Sequence, residues 1–236
     1  MNVAVSRRTA FRASLTGGAA LVLGGSGAAA LASSDGPESA RPGDADGALR
    51  LLRQGNRRWR ASASHHPNED AARREELTGG QSPFATILGC SDSRVPPELV
   101  FDRGLGDLFT VRSAGQVPDP SVLGSVLYAV EHLETPLLVV LGHESCGAVS
   151  AAVEAHETGD VPQGHIGHLV ERLLPVVEST PDDGGDFVDA CVTANAEDIA
   201  RRLREDEEIG GFARTGALRV VAARYELGTG AVTFLD

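Results

Sequence analysis

The sequence predicts an α/β protein whose central, mainly parallel β-sheet is flanked by helices. Short apolar runs alternate along the chain with longer segments in which apolar residues recur at helical spacing, and this alternation is typical of the class. The run PLLVVLGH, residues 136–143, is continuous and rich in Val and Leu, as expected of a strand buried on both faces of a parallel sheet. A second run, FATILGC at residues 84–90, ends in Gly and Cys and indicates another such strand.

Residues 1–32 have the pattern of an export signal. Arg7 and Arg8 precede a weakly apolar stretch rich in Gly and Ala, which ends in ALA at residues 30–32 and so fits a small-residue cleavage pattern. The arginine pair resembles the twin-arginine type, so we expect the protein to be exported to the cell envelope or beyond it. A disordered tail or a single membrane anchor is the alternative, although the Gly content disfavours a stable spanning helix.

The remainder of the chain is predicted to be one domain behind a linker. Residues 33–46 are rich in Ser, Pro, Gly and Asp, a composition typical of disordered linkers. The domain then covers residues 47–236, and its first helix is expected to run from Asp46, which can cap it, to about Arg60. We expect Trp59 to anchor this helix on a neighbouring surface.

The other elements follow from the spacing of apolar residues and from the positions of Gly and Pro. Further strands are predicted at residues 107–115, 217–227 and 231–236, the last two joined as a hairpin by a GTG turn. Helices are predicted at residues 121–133, 144–157, 168–180 and 187–206, with a Gly-rich loop at 159–168.

Charge and cysteine content exclude several classes of partner and of fold. The formal net charge is -12, every basic residue is Arg, and no basic stripe offsets the acids. We therefore expect neither nucleic acid nor an anionic membrane surface to bind the chain. The three cysteines are an odd number, which does not indicate a disulfide framework, even in an exported protein.

Two segments with Cys and His are expected to meet at one edge of the sheet. Cys90 ends one predicted strand, His143 ends another, and Cys146 follows on the first turn of the next helix. Because ligands collect at the carboxyl ends of parallel strands, these side chains should converge. A Cys2His set with a carboxylate nearby, here Asp92, is well matched to zinc. For either segment alone, the alternative to metal binding is a structural role, as a buried Cys or as a core His whose hydrogen bonds are made within the protein.

The segments CSDSRVPPELVFDRGLGDLFTVRSAGQ, from Cys90, and GHESCGAV, from Gly142, resemble the β-class carbonic anhydrases. The resemblance extends from LLRQGNRRW, near Leu51, to the end of the chain. It implies an α/β fold, assembly as a homodimer or a dimer of dimers, one Zn²⁺ per chain, and reversible hydration of CO₂ to bicarbonate. It places zinc ligands at Cys90, His143 and Cys146, and the Asp–Arg pair of the family at Asp92 and Arg94.

The resemblance also implies a plant-type substrate pocket lined by Gln81, Phe109 and Tyr128, some of them from the neighbouring subunit. The helical amides after Cys146, beginning with that of Gly147, can hold the same anion.

Two departures from the family pattern are visible. Ile87 stands where the bicarbonate-regulated subgroup has tryptophan, which argues against that regulatory site. Ser113 and Gln116 replace asparagines that the family often has, which changes the hydrogen bonds expected behind the pocket.

The mechanism expected from these residues assigns two partners to Asp92. Three protein ligands and a water make a catalytic zinc site, and the zinc-bound hydroxide attacks CO₂ while Gln81 donates to a substrate oxygen. Bound to zinc, Asp92 closes the site; paired with Arg94, it leaves zinc open and accepts a hydrogen bond from the hydroxide. As the resemblance implies, we expect a switch that is closed at lower pH and open at higher pH.

The remaining Cys and His residues are expected to have other roles. Cys191 lies at apolar spacing in a helix and is interpreted as a core residue. The loop pair His65 and His66 is interpreted as solvated. A proton relay to buffer is a further role for histidines near the Gly-rich loop, namely His156, His165 and His168.

Two rival functions are compatible with the same residues. The same scaffold can act on CS₂ or COS, since such enzymes differ in access to zinc and not in motif spacing. A non-catalytic protein that binds zinc for assembly or storage is the other rival. Gln81, Asp92 and Arg94 argue against it, because storage requires ligands alone.

Overall fold

The computed structural model describes residues 41–235, which contain one five-stranded sheet in the order β2-β1-β3-β4-β5. Neighbouring strands are parallel except for β5, which is antiparallel to β4. The strands are β1 Ala85–Gly89, β2 Leu108–Arg112, β3 Leu137–His143, β4 Arg219–Tyr225 and β5 Val232–Leu235. The predicted α/β class and mainly parallel sheet are confirmed. The predicted export signal and most of the predicted linker lie outside the described residues.

Helices cover both faces of the sheet. They are α1 Ala45–Arg60, α2 Ala71–Glu76, α3 Pro97–Val100, α4 Pro120–Glu131, α5 Gly147–Thr158, α6 Gly164–Ser179, α7 Phe187–Glu205 and α8 Ile209–Arg214. The sequence patterns missed α2, α3 and α8, because four to six residues are too few to show helical periodicity. None of the described helices is long and apolar enough to cross a membrane.

Helix α1 begins earlier than predicted. Its N-cap is Asp44, whose carboxylate accepts a hydrogen bond from the Gly47 amide at 2.7 Å, and such a bond satisfies one of the open amides of the first turn. Asp46, which the sequence suggested as the cap, lies within that turn and pairs with Arg219 at 2.9 Å. The predicted linker therefore extends too far, because its last two residues are helical. Trp59 is anchored by a bond from its indole N–H to the Tyr225 hydroxyl at 3.2 Å.

Helix α6 also begins earlier than predicted, and it takes up the second half of the predicted Gly-rich loop. It starts at Gly164, so that His165 and His168 are exposed helical residues. A Cβ at position 167 would lie 1.8 Å from the Pro162 carbonyl oxygen. Gly167 is thus required by the close approach of the helix to its own preceding turn, and it does not mark a loop.

The core consists of three clusters. One lies between α1 and one face of the sheet and includes Leu52 and Ile87. The second, on the opposite face, includes Leu138 with residues of α4, α7 and α8. The third lies beyond the carboxyl ends of β1 and β3, among α5, α6 and α7, and it contains Cys90 and Cys146. All residues of β1 and β3 are buried, which confirms the prediction of strands covered on both faces.

Candidate metal centre

The fold brings Cys90, His143 and Cys146 together at the carboxyl edge of the sheet. Cys90 directly follows β1, His143 is the last residue of β3, and these strands are neighbours. Cys146 is the N-cap residue of α5. All three residues are buried, and their potential ligand atoms lie within 4.8 Å of one another. The two sulfur atoms are 4.0 Å apart. The convergence expected from the topology is therefore present.

The imidazole of His143 presents one nitrogen to this cluster. Its Nδ1 lies 2.9 Å from the Glu144 carbonyl oxygen, which can only accept, so Nδ1 carries the proton and Nε2 has a free lone pair. That Nε2 is buried and has no hydrogen-bond partner among the described residues. An unpaired buried nitrogen is costly, and a cation between it and the two sulfur atoms would satisfy it.

A hydrogen bond joins the two thiols, whose sulfur atoms are 4.0 Å apart. Hydrogen bonding from Cys146, and secondarily the nearby His143 imidazole, lowers the pKa of the Cys90 thiol well below its usual range although burial opposes this. The bond to Cys90 and burial raise the pKa of the Cys146 thiol. Burial disfavours the charged imidazole, but the nearby Cys90 sulfur, the Glu144 carbonyl and the Asp92 carboxylate outweigh it and raise the pKa of His143. A divalent cation would replace the proton of the hydrogen bond between the thiols and allow both sulfurs to be thiolates.

Asp92 lies beside the cluster and is paired with Arg94. Its two oxygens accept from Arg94 Nε at 2.9 Å and from Nη2 at 2.6 Å, and the Arg94 amide donates to it at 2.9 Å. These hydrogen bonds lower the pKa of the Asp92 carboxyl to about 2. Its Oδ2 is 3.9 Å from His143 Nε2. Arginine therefore holds the carboxylate at the edge of the cluster.

Contacts from remote segments hold the Cys90 loop, and sequence reasoning did not identify them. Arg112 donates from Nε to the Cys90 carbonyl at 2.7 Å and from Nη2 to the Asp92 carbonyl at 2.5 Å. The Gly115 amide donates to the Cys90 sulfur, and the Gly115 carbonyl accepts from Asn195 at 2.9 Å. Gly115 has φ of 63°, a conformation that glycine adopts at little cost. Its place in a loop after a strand was the one available signal.

The two residues that stand in place of the family's asparagines lie in this supporting loop. Ser113 donates from its hydroxyl to the Val117 carbonyl at 2.9 Å. Gln116 is 1% exposed, and its side-chain oxygen lies 3.4 Å from Asn195 Nδ2. Both positions therefore shape the turn behind Cys90, as the sequence suggested, and neither belongs to the set of potential metal ligands.

Within one chain, the predicted pocket residues lie away from the three potential ligands. Gln81 is exposed and precedes the amino end of β1. Phe109, on β2, pairs with Thr86, so it is three residues, or about 10 Å, from the carboxyl end of the sheet. Tyr128, on α4, is 46% exposed and packs against Phe109 with ring centroids 6.1 Å apart. Gly147 alone lies near the ligands, as the exposed first residue of α5.

The remaining cysteine and histidines fall in structural or solvent-exposed positions. Cys191 is fully buried in the third cluster, which confirms its interpretation as a core residue. The main-chain amides of His65 and His66 donate to the Asp102 carboxylate at 3.0 to 3.1 Å, so this loop is fixed by its backbone. His156 is exposed on α5.

Comparison with known proteins gives consistent results. A family model described as carbonic anhydrase matches residues 85–232. Carbonic anhydrase 2 of Mycobacterium tuberculosis is 42% identical over 194 residues, which cover 80% of this chain and 92% of the relative. The carbonic anhydrase of Mycolicibacterium smegmatis is 41% identical over 186 residues, 78% of this chain and 90% of the relative. The Coccomyxa β-carbonic anhydrase, solved with acetazolamide, has a TM-score of 0.64 at 26% identity over 79% of this chain and 86% of that chain.

Proposed function

Because the chain belongs to the β class of the carbonic anhydrase family, we propose that it is a zinc enzyme that converts CO₂ and water to bicarbonate and a proton, reversibly. The observation that carries the proposal is the buried Cys2His group, whose unpaired His143 Nε2 lies 3.9 Å from a carboxylate held by arginine. Such a group offers a metal ion three ligands, which leaves a fourth position for water, and places a carboxylate that can accept a hydrogen bond beside that position.

The donor set fits zinc. Cys90 and Cys146 supply soft sulfur and His143 supplies a borderline nitrogen, which together suit Zn²⁺ better than the oxygen-preferring Mg²⁺ or Ca²⁺. When bound at a site with three protein ligands, zinc lowers the pKa of a coordinated water to about 7 and so supplies hydroxide near neutral pH.

Asp92 and Arg94 perform the gating and orienting roles in this proposal. While Arg94 holds both carboxylate oxygens, Asp92 stays ionised. Its remaining lone pairs can then accept a hydrogen bond from a donor beside the ligands. If Arg94 releases it, the carboxylate can complete the ligand set and block access. Since the pKa of Asp92 is about 2, closure at lower pH would not require its protonation, and the ionised carboxylate could itself serve as the fourth ligand of a bound zinc.

The substrate pocket is proposed to be completed by a second copy of the chain. Gln81, Phe109 and Tyr128 are too far along the sheet to reach the ligands of their own chain. Tyr128 is 46% exposed and Leu99 44%, and such large exposed side chains suit a homodimer interface. In a homodimer, the aromatic rings would form a dry wall for CO₂ while the Gln81 amide and the Gly147 N–H bind the bicarbonate oxygens.

Export remains a proposal that rests on residues 1–32. Fractionation of cells that express the full chain should place most of the protein outside the cytoplasm. Replacement of Arg7 and Arg8 with Gln should retain it inside, and export of that variant at the same level would contradict twin-arginine targeting.

The function is tested by stopped-flow measurement of CO₂ hydration with the zinc-loaded protein, with CS₂ and COS as parallel substrates. We expect fast, zinc-dependent CO₂ hydration and little turnover of the sulfur compounds. Preferred turnover of CS₂ or COS would show the rival hydrolase. Full zinc occupancy without turnover of any of the three would show a zinc-binding protein that is not an enzyme.

A further inference from the structure

The structure assigns to Glu144 a positioning role at the metal centre: its side chain fixes the carbonyl that orients the imidazole of His143. Glu144 lies between two ligands in the sequence HESC, yet its carboxylate does not belong to the ligand cluster. The inference rests on the zinc site of the proposed function and adds a residue for which the sequence patterns suggested no role.

Glu144 is held by three hydrogen bonds. Its amide donates to the Tyr225 carbonyl at 2.8 Å. Its carbonyl accepts from His143 Nδ1 at 2.9 Å. Its carboxylate oxygen Oε2 accepts from the Leu227 amide at 2.8 Å, across 83 residues of sequence. Main chain and side chain of one residue are therefore fixed to the end of β4 and the turn that follows it.

These bonds matter for His143 because the carbonyl that orients it belongs to the next residue. A ring nitrogen reaches that carbonyl only when the peptide group between residues 144 and 145 has one particular orientation. The chain there is unusual, since Ser145 has φ of 53°, a conformation that is uncommon for a residue other than Gly. The bond from the Leu227 amide holds Glu144 and opposes rotation of this peptide group.

The turn that receives the Glu144 side chain is itself anchored. Asn56 of α1 donates from Nδ2 to the Gly230 carbonyl at 2.8 Å and accepts from the Val232 amide at 3.0 Å. The Trp59 indole N–H donates to the Tyr225 hydroxyl. Glu144 thus connects the metal loop to a turn held by helix α1, which gives the carboxylate a fixed point of attachment.

Partners that orient a metal-bound imidazole are worth about 10- to 100-fold in metal affinity. Two substitutions distinguish the effect of side-chain length from the effect of charge. Glu144→Gln keeps the length and an oxygen that accepts from Leu227 but loses the charge, whereas Glu144→Asp keeps the charge and shortens the side chain by one methylene. We expect Glu144→Ala and Glu144→Asp to raise the zinc dissociation constant about tenfold, and Glu144→Gln to stay within about threefold of the wild type.

Zinc affinity is measured by competition with a chromophoric chelator on the purified full-length chain at one fixed pH. Glu157→Ala, at an exposed position of α5, is the matched control for loss of a glutamate. Ile199→Val, in the buried second cluster, controls for stability: it should lower Tm without changing zinc affinity. The assignment would be overturned if Glu144→Ala bound zinc as tightly as the wild type. It would also be overturned if Glu144→Asp kept its zinc affinity while Glu144→Gln lost it.

A second readout needs no metal. In zinc-free protein with ¹⁵N-labelled histidine, the His143 signals, identified by their loss in His143→Asn, should show the Nδ1–H tautomer in the wild type and in Glu144→Gln. Glu144→Ala should show a mixture of tautomers, and an unchanged tautomer there would overturn the positioning role. Failure of the wild type to bind zinc would refute the proposed function, while the tautomer result would still decide the role of Glu144.

Discussion

Replacement of Asp92 by Asn removes the charge of one carboxylate while it keeps the shape of the side chain. In the structure this carboxylate accepts two bonds from the guanidinium of Arg94 and one from the Arg94 amide. An amide in its place has one accepting oxygen, and its NH₂ group faces the donors of Arg94. We therefore expect the Asp92→Asn variant to lose both the bidentate pair and the acceptor beside the metal ligands.

The cost in stability follows from the pKa of Asp92, which the folded protein lowers from 3.8 to about 2. A lowered carboxyl pKa stabilises the folded state above pH 4, and this contribution is lost as the pH falls towards 2. Nearly two pKa units correspond to about 2.4 kcal/mol. Because the Arg94 side chain is 51% exposed, solvent screening reduces this to about 1 kcal/mol. The expected loss in Tm is about 2–4 °C.

The loss in activity is expected to be much larger than the loss in stability. A positioned acceptor of a proton contributes about 10²- to 10⁴-fold to the rate, so kcat/KM for CO₂ hydration should fall by at least about 10²-fold while zinc content stays at one per chain. Stopped flow measures the rate and elemental analysis measures the zinc.

The matched control is Asp198→Asn, which breaks an exposed pair with Arg201 on α7. Its activity should equal that of the wild type. Full activity of zinc-loaded Asp92→Asn would refute the role assigned to the Asp92 carboxylate.

Three further predictions concern the ligands, the switch and the core. Cys146→Ser should lose zinc, and Cys191→Ser should keep it, as measured by elemental analysis of the purified variants; zinc retained by both would contradict the ligand set. X-ray absorption between pH 6 and 9 should show a carboxylate oxygen replaced by a solvent oxygen as the pH rises, whereas the same coordination throughout would exclude the closed state. Leu138→Ala, at a fully buried position of β3, should lower the free energy of unfolding by about 2–5 kcal/mol in urea denaturation, and a change below about 1 kcal/mol would contradict the packing described.

The strands and the convergence of the three candidate metal ligands were predictable from the sequence because local patterns determine them. β3 is a continuous apolar run, and the carboxyl ends of parallel strands lie at one edge of the sheet regardless of the conformation of the loops. His143 and Cys90 therefore meet as a consequence of topology, and Cys146 joins them as the N-cap residue of the helix that follows β3.

Features that depend on contacts between remote segments were not predictable. Asn195 lies 80 positions from the Gly115 carbonyl that it binds, and Glu144 lies 83 positions from Leu227. No local pattern relates such pairs. The N-cap of α1 is Asp44 and not Asp46; both aspartates satisfy the same capping rule, and the three-dimensional path of the chain decides between them.

The predicted substrate pocket could not be assembled from one chain for a different reason. Gln81, Phe109 and Tyr128 are sequence positions that the family resemblance identifies, but the structure places them towards the amino ends of β1 and β2. In one chain Tyr128 is exposed, and we propose that a second chain brings these residues to the candidate ligands.

The most direct test of the account is a crystal structure of protein purified without chelators, with diffraction data collected on both sides of the zinc absorption edge. We expect one anomalous peak per chain, about 2.3 Å from the sulfur atoms of Cys90 and Cys146 and about 2.0–2.1 Å from Nε2 of His143. Zinc-replete crystals with no peak among these three atoms, or with the peak at another site, would contradict the central claim.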